Sequence, residues 1–318
     1  MNRLKLMFFF FFLITGTVAG AEKEELTIFY ASTLASPIKD ITNEFQKKYP
    51  DVFISGEASG SREAVRKVAE LKRNADILIT ADPLVIRDIL MPEYADWYIN
   101  FAATRMVICF TEQSKYGNEI NRDNWYRVLS RPGVQIGRVN QDNSPLGYRT
   151  LMTWQLADRY YKPEGTGKTI YDSLSENCPP GNIRPDELEL LPLLQNFTLD
   201  YIFEYQSVAK QHNLKYILLP KEIDLSDPLL DSVYKEASVV LTGKRKGEVV
   251  SVHGSSITYS VTIPTGALHK PIAIKFLRFL FDSYGRDIFN KNFIEFIVPV
   301  YPSDSTKIPE ELRTVCRQ

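Results

Sequence analysis

The sequence predicts an α/β protein with layered, largely parallel sheets, and three observations carry that prediction. Strand-like and helix-like segments alternate along the chain. Short polar turns stand where a strand pattern gives way to a helix pattern. The 318-residue chain, less an N-terminal apolar segment, is long enough for two medium-sized cores.

The N-terminal segment has its own logic. Asn2-Arg3-Leu4-Lys5 is basic, Leu6 to Val18 is almost wholly apolar, and Ala19-Gly20-Ala21 has the small-x-small form of a cleavage site. Residues 1–21 therefore read as a secretory signal peptide, too short for a stable membrane span. No Cys stands at the cleavage point, so there is no lipobox, and the expected location is periplasmic.

Strands are expected at Leu26–Tyr30, Val52–Ile54 and Ala75–Asp82, the last apolar enough to be buried on both faces. Further strands are expected at Met106–Phe110, Val134–Gly137, Asp200–Tyr205, Tyr216–Leu219 and Ser256–Ile263. Helix patterns run over 37–49, 62–71, 124–130, 147–161, 185–195 and 207–212. Pro185 falls in the first turn of its helix, where a missing N–H costs nothing. Pro271–Tyr284 reads as one amphipathic helix, and Lys162–Arg184, rich in Pro and Gly, as irregular.

Two turns draw attention because each places hydroxyls where a helix begins. Ala31-Ser32-Thr33-Leu34 follows the first strand, and Ala58-Ser59-Gly60-Ser61 follows the second. A helix start offers unpaired N–H groups and the positive end of the dipole, and so can hold an anion without a cationic side chain. The same residues are also favoured N-caps, which is the competing reading. A third polar turn, Asn140 to Pro145, opens the helix at Gly147. Ligands in open α/β sheets bind beyond the carboxyl ends of strands, where all three turns fall.

Composition removes several classes. A net charge of −1 gives no nucleic-acid footprint. The three cysteines, Cys109, Cys178 and Cys316, are odd in number, and no two have metal-site spacing. His212, His253 and His269 are scattered, which leaves no zinc site and no histidine triad. There is no Gly-x-Ser-x-Gly elbow, so a secreted enzyme using Ser61 or Glu187 is the weaker reading. A sensory ectodomain stays open.

Several blocks together make the chain resemble a periplasmic solute-binding protein of an ABC importer, in the molybdate/tungstate branch. They are Ala31 to Leu34, Ala58 to Ser61, Arg66-Lys67-Val68, Ala75-Asp76 with Thr80 to Asp82, Pro145 to Arg149, and Leu199 to His212. The resemblance implies a type II two-lobed fold that closes on its ligand. Residues 22–104 plus 218–318 would form lobe 1, and 105–217 lobe 2. It implies binding of molybdate or tungstate with no cofactor and no catalysis, delivery to a membrane permease, and a monomer. Another oxyanion or small solute is the alternative within that class.

Residue by residue, it implies that Ser32, Thr33 and Ser61 contribute from lobe 1. Asn143, Ser144, Pro145, Glu187 and Tyr205 would contribute from lobe 2. Some relatives add two carboxylates to the oxyanion, making an octahedral metal centre. Glu187, with Glu189 as competitor, would be one such ligand to Mo or W. The other would fall at Ser144, which has no carboxylate, with Asp142 two residues away; the Cys usual before Gly147 is Leu146. Asp76, Asp82 and Arg149 are expected to brace the structure rather than touch ligand.

Overall fold

The computed structural model describes residues 24–162, 167–245 and 247–317. The signal-peptide segment lies outside the described residues. Thirteen strands follow in chain order: β1 (Glu24–Ala31), β2 (Val52–Ser59), β3 (Ile77–Thr80), β4 (Ile99–Ala103), β5 (Met106–Phe110), β6 (Ile136–Val139), β7 (Ile183–Arg184), β8 (Tyr201–Tyr205), β9 (Lys215–Leu218), β10 (Ser238–Thr242), β11 (Val249–His253), β12 (Thr258–Thr262) and β13 (Glu295–Pro302).

They form two mixed sheets and a hairpin. The larger sheet has the order β13-β4-β12-β3-β1-β2, the second β7-β6-β8-β5-β9, and β10 pairs with β11. The expectation of largely parallel sheets is corrected. β1 is parallel to β2 and β3, and β6 to β7 and β8. β12 runs antiparallel to both β3 and β4, β13 to β4, and β5 to both β8 and β9. Helical crossovers impose parallel pairing locally, but strands that return from the far end of the chain enter from the opposite side.

Packing follows the side-chain periods. β1 sends Ile28 and Phe29 to opposite faces, and both are buried. Ile28 joins a core with Ile38, Ile41 and Phe45 of the helix Ala35–Lys48. Phe45 meets Phe276 edge-on at 5.1 Å, from the helix Lys270–Phe281. Phe29 lies on the other face with Leu78 and Val65, under the helix Ser61–Ala69. Each such side chain contributes about 1.5–3 kcal/mol by leaving water.

Three local expectations change. The helix expected through Tyr284 stops at Phe281. Asp282 caps a separate helix, Ser283–Lys291, its Oδ1 accepting from the Gly285 amide at 2.8 Å. The irregular region contains a helix, Ile170–Glu176, whose N-cap Thr169 accepts from the Asp172 amide. Pro185 precedes the N-cap Asp186 rather than occupying the first turn, and Pro192 lies inside the helix Glu187–Gln195. The hairpin β10–β11 and edge strand β13 carry no strong strand-helix alternation in sequence. Among the described residues no helix is long and apolar enough to cross a membrane.

Candidate functional site

None of Ser32, Thr33 and Ser61, at the first two turns, caps its helix. Ser32 and Thr33 lie in a 3-10 turn, Ser32–Leu34, whose cap is Ala31, and the helix Ser61–Ala69 is capped by Gly60. All three are buried and make distant contacts. Ser32 Oγ donates to Glu187 Oε2 at 2.6 Å, across 155 residues of chain. Thr33 Oγ1 accepts from the Tyr259 hydroxyl at 3.3 Å, and Ser61 Oγ accepts from the Ala81 amide at 2.9 Å. Thr33 and Ser61 thus keep their own protons available for a further acceptor.

The third turn closes against the second. Asn143 O accepts from the Arg62 amide at 3.0 Å and the Glu63 amide at 3.3 Å. Those are first-turn N–H groups of the helix Ser61–Ala69, so a protein carbonyl occupies part of the anion position that the sequence suggested. Gly60 permits the approach, because a Cβ there would stand 2.4 Å from Asn143 O and 3.2 Å from Ser144 Cβ. Ser144 is buried and extended at the cap of the helix Pro145–Tyr161, with no side-chain capping bond, and Pro145 takes the first turn. Asp142 turns away: its Oδ1 accepts from the Thr242 amide at 2.7 Å and hydroxyl at 2.9 Å.

Glu187 begins the helix Glu187–Gln195 and is 1% exposed, whereas Glu189 is exposed; only Glu187 reaches Ser32. Its Oε1 is buried with no partner. Burial pushes its carboxyl up to about 7, against the pull of the Ser32 hydrogen bond. Glu204 is a second buried carboxyl that sequence reasoning did not single out. Its Oε1 accepts from the Tyr205 amide at 2.7 Å and its Oε2 has no partner. Burial first, and the nearby Glu187 charge second, hold Glu204 well above the usual carboxylate range. An acidic residue inside the otherwise apolar and aromatic run Tyr201–Tyr205 was the available signal.

Tyr205 is fully buried, and its hydroxyl accepts from Arg149 Nη1 at 2.7 Å. Its ring meets Tyr259 edge-on at 6.2 Å. Arg149 also donates to Ala81 O at 2.6 Å and to Asp82 Oδ2 at 2.9 Å, which accepts as well from the Tyr148 hydroxyl at 2.7 Å. Arg149 and Asp82 therefore brace the two sheets against each other, with both side chains about 2% exposed. Asp76 holds backbone: it accepts from the Thr27 and His269 amides. No group of three or more metal-ligating side chains occurs among the described residues, and Cys109, Cys178 and Cys316 are free thiols.

Two α/β units closed over buried hydroxyls and carboxyls have the build of a type II periplasmic binding protein. Residues 26–295 match the family model described as bacterial extracellular solute-binding protein. An uncharacterized solute-binding protein of Petrotoga mobilis is 42% identical over 311 residues, covering 97% of this chain and 96% of its own. The molybdate/tungstate-binding protein WtpA of Pyrococcus abyssi is 38% identical over 338 residues, covering 95% and 94%. Among solved structures, the periplasmic molybdate-binding protein of Azotobacter vinelandii shares the fold at a TM-score of 0.62. It is 12% identical over 86% of this chain and 99% of that one. The chain belongs to the bacterial extracellular solute-binding protein family, on the branch that includes the molybdate/tungstate-binding relatives.

Proposed function

We propose that this protein binds molybdate or tungstate outside the cytoplasm, as a monomer, and delivers it to the permease of an ABC importer. Two relatives that it resembles over most of its length are molybdate/tungstate-binding proteins, and its family is one of binding proteins rather than catalysts. One observation carries the reading. Ser32 donates to Glu187, Thr33 accepts from Tyr259 and Ser61 accepts from the Ala81 amide, all buried, in an interior where Glu187 Oε1 has no partner. A buried dianion requires a donor for nearly every oxygen, and hydroxyls supply donors without a net charge that would retain the ligand.

The proposed lobes are residues 22–104 plus 218–318, and 105–217. Strand membership supports this: β4 ends at Ala103 in the larger sheet and β5 starts at Met106 in the other, which β9 leaves at Leu218. Ser32, Thr33 and Ser61 then face Asn143, Ser144, Pro145, Glu187 and Tyr205 across a cleft.

Glu187 is proposed to meet the ligand as a carboxylic acid, donating to an oxygen of a tetrahedral anion. Its raised pKa supports this, because a dianion alongside would raise it further. Ser144 offers no second carboxylate, and Asp142 is committed to Thr242. Calorimetric titration with tungstate, molybdate and sulfate tests the function. The expected result is tight binding of the first two and at least a hundredfold weaker binding of sulfate, on the order of the 2.7 kcal/mol that separates such affinities. Equal affinity for sulfate overturns the assignment.

A further inference from the structure

The hairpin β10–β11 touches both halves of the molecule, and Thr242 at the end of β10 is where the contacts meet. Its amide and hydroxyl donate to Asp142 Oδ1. Its hydroxyl oxygen accepts from Arg66 Nη2 at 2.6 Å, and its carbonyl accepts from both Arg62 Nη2 and Arg66 Nη2. Arg62 Nε also donates to Asp142 O at 3.1 Å. The Thr242 hydroxyl therefore relays one hydrogen-bond chain from the Arg66 guanidinium to the Asp142 carboxylate, a charge-assisted arrangement at both ends.

Three segments far apart in sequence are fixed by these bonds. The helix Ser61–Ala69 carries Ser61, the loop Asn140–Pro145 carries Ser144, and the hairpin joins them. Elsewhere the hairpin is held to the helix Pro145–Tyr161, where Gln155 exchanges two hydrogen bonds with the Ser238 backbone at 2.9 and 3.0 Å. Asp142 is thus held by its carboxylate to Thr242 and by its carbonyl to Arg62, next to the Asn143 carbonyl that receives the Arg62 and Glu63 amides.

We propose that Asp142 is a positioning residue: with Thr242, Arg62 and Arg66 it latches the loop that carries Ser144 onto the hydroxyl-bearing helix, and so governs release of the ligand. The inference rests on the oxyanion-binding reading above. Because the latch joins residues that lie on both sides of the proposed lobe boundary, its bonds would have to part before the cleft opens, so its loss acts on dissociation more than on encounter.

Asp142→Asn and Thr242→Val test it, with Gln155→Ala as a hairpin variant that leaves the latch residues in place. The readouts are stopped-flow tungstate dissociation and amide hydrogen exchange at residues 62–63. Dissociation is expected to quicken about tenfold in Asp142→Asn and about fivefold in Thr242→Val, at the low end for charge-assisted bonds because the pair is exposed. Association changes little, and exchange at 62–63 quickens in the ligand-free protein. Unchanged dissociation and unchanged exchange in both variants overturn the latch. If the wild type binds no oxyanion but exchange still quickens, the latch stands and the functional reading fails.

Discussion

Glu187 offers a direct test of how the interior handles charge. Its carboxyl sits at about 7 instead of 4.5, mainly because burial disfavours the ionised form. At pH 4.5 and below, folded and unfolded chains both hold the proton, and the group contributes nothing to the pH dependence. Between 4.5 and about 7 the unfolded chain releases its proton while the folded chain keeps it, so stability falls as pH rises. Above about 7 the loss is complete. At about 1.4 kcal/mol for each pH unit, the full loss is about 3 kcal/mol. Glu187→Gln removes this titration, and its amide oxygen can still accept from Ser32. Urea unfolding of ligand-free wild type and variant at pH 5, 6.5 and 8 measures the difference. The variant is expected to gain on the wild type by about 2–3 kcal/mol between pH 5 and 8, most of it by pH 7. A difference that stays flat across that range refutes the argument that burial dominates at Glu187.

Four further outcomes are expected. Calorimetry in buffers of different ionisation enthalpy should show uptake approaching about one proton per oxyanion at pH 8, whereas no uptake would mean that Glu187 meets the ligand ionised. Thr33→Val removes a hydroxyl donor and should weaken tungstate binding by about ten- to a hundredfold, the range of one hydrogen bond to a charged group. Gly60→Ala should speed ligand release by about tenfold or more, since its Cβ would collide with Asn143 O; its φ of −57° suits any residue, so the cost falls on that contact and not on the local backbone. Arg149→Met leaves Asp82 buried and unpaired, and should lower unfolding free energy by about 3–5 kcal/mol in denaturant titration.

Local patterning made the alternation of strands and helices legible, because buried faces repeat with periods of 2 and 3.6. It located β1, β3, β5 and β8 to within two or three residues at their ends. It could not separate the helices Lys270–Phe281 and Ser283–Lys291, whose apolar stripe continues past the break at Asp282. It also overestimated parallel pairing, since a strand's direction depends on which end of the sheet the chain enters.

The same division runs through the site. The sequence alone put forward the candidates: the hydroxyls at 32, 33 and 61, the polar turn at 140–145, and an acidic helix start that contains Glu187. It could not say which of Glu187 and Glu189 is buried, or tell an N-cap from a hydroxyl with a distant partner, because those alternatives have the same local sequence. Only the tertiary structure decided them, by burying Glu187 against Ser32, covering the Arg62 and Glu63 amides with Asn143 O, and turning Asp142 outward to Thr242. Each of those outcomes depends on segments tens to more than a hundred residues apart meeting in space, and no local spacing encodes such a meeting.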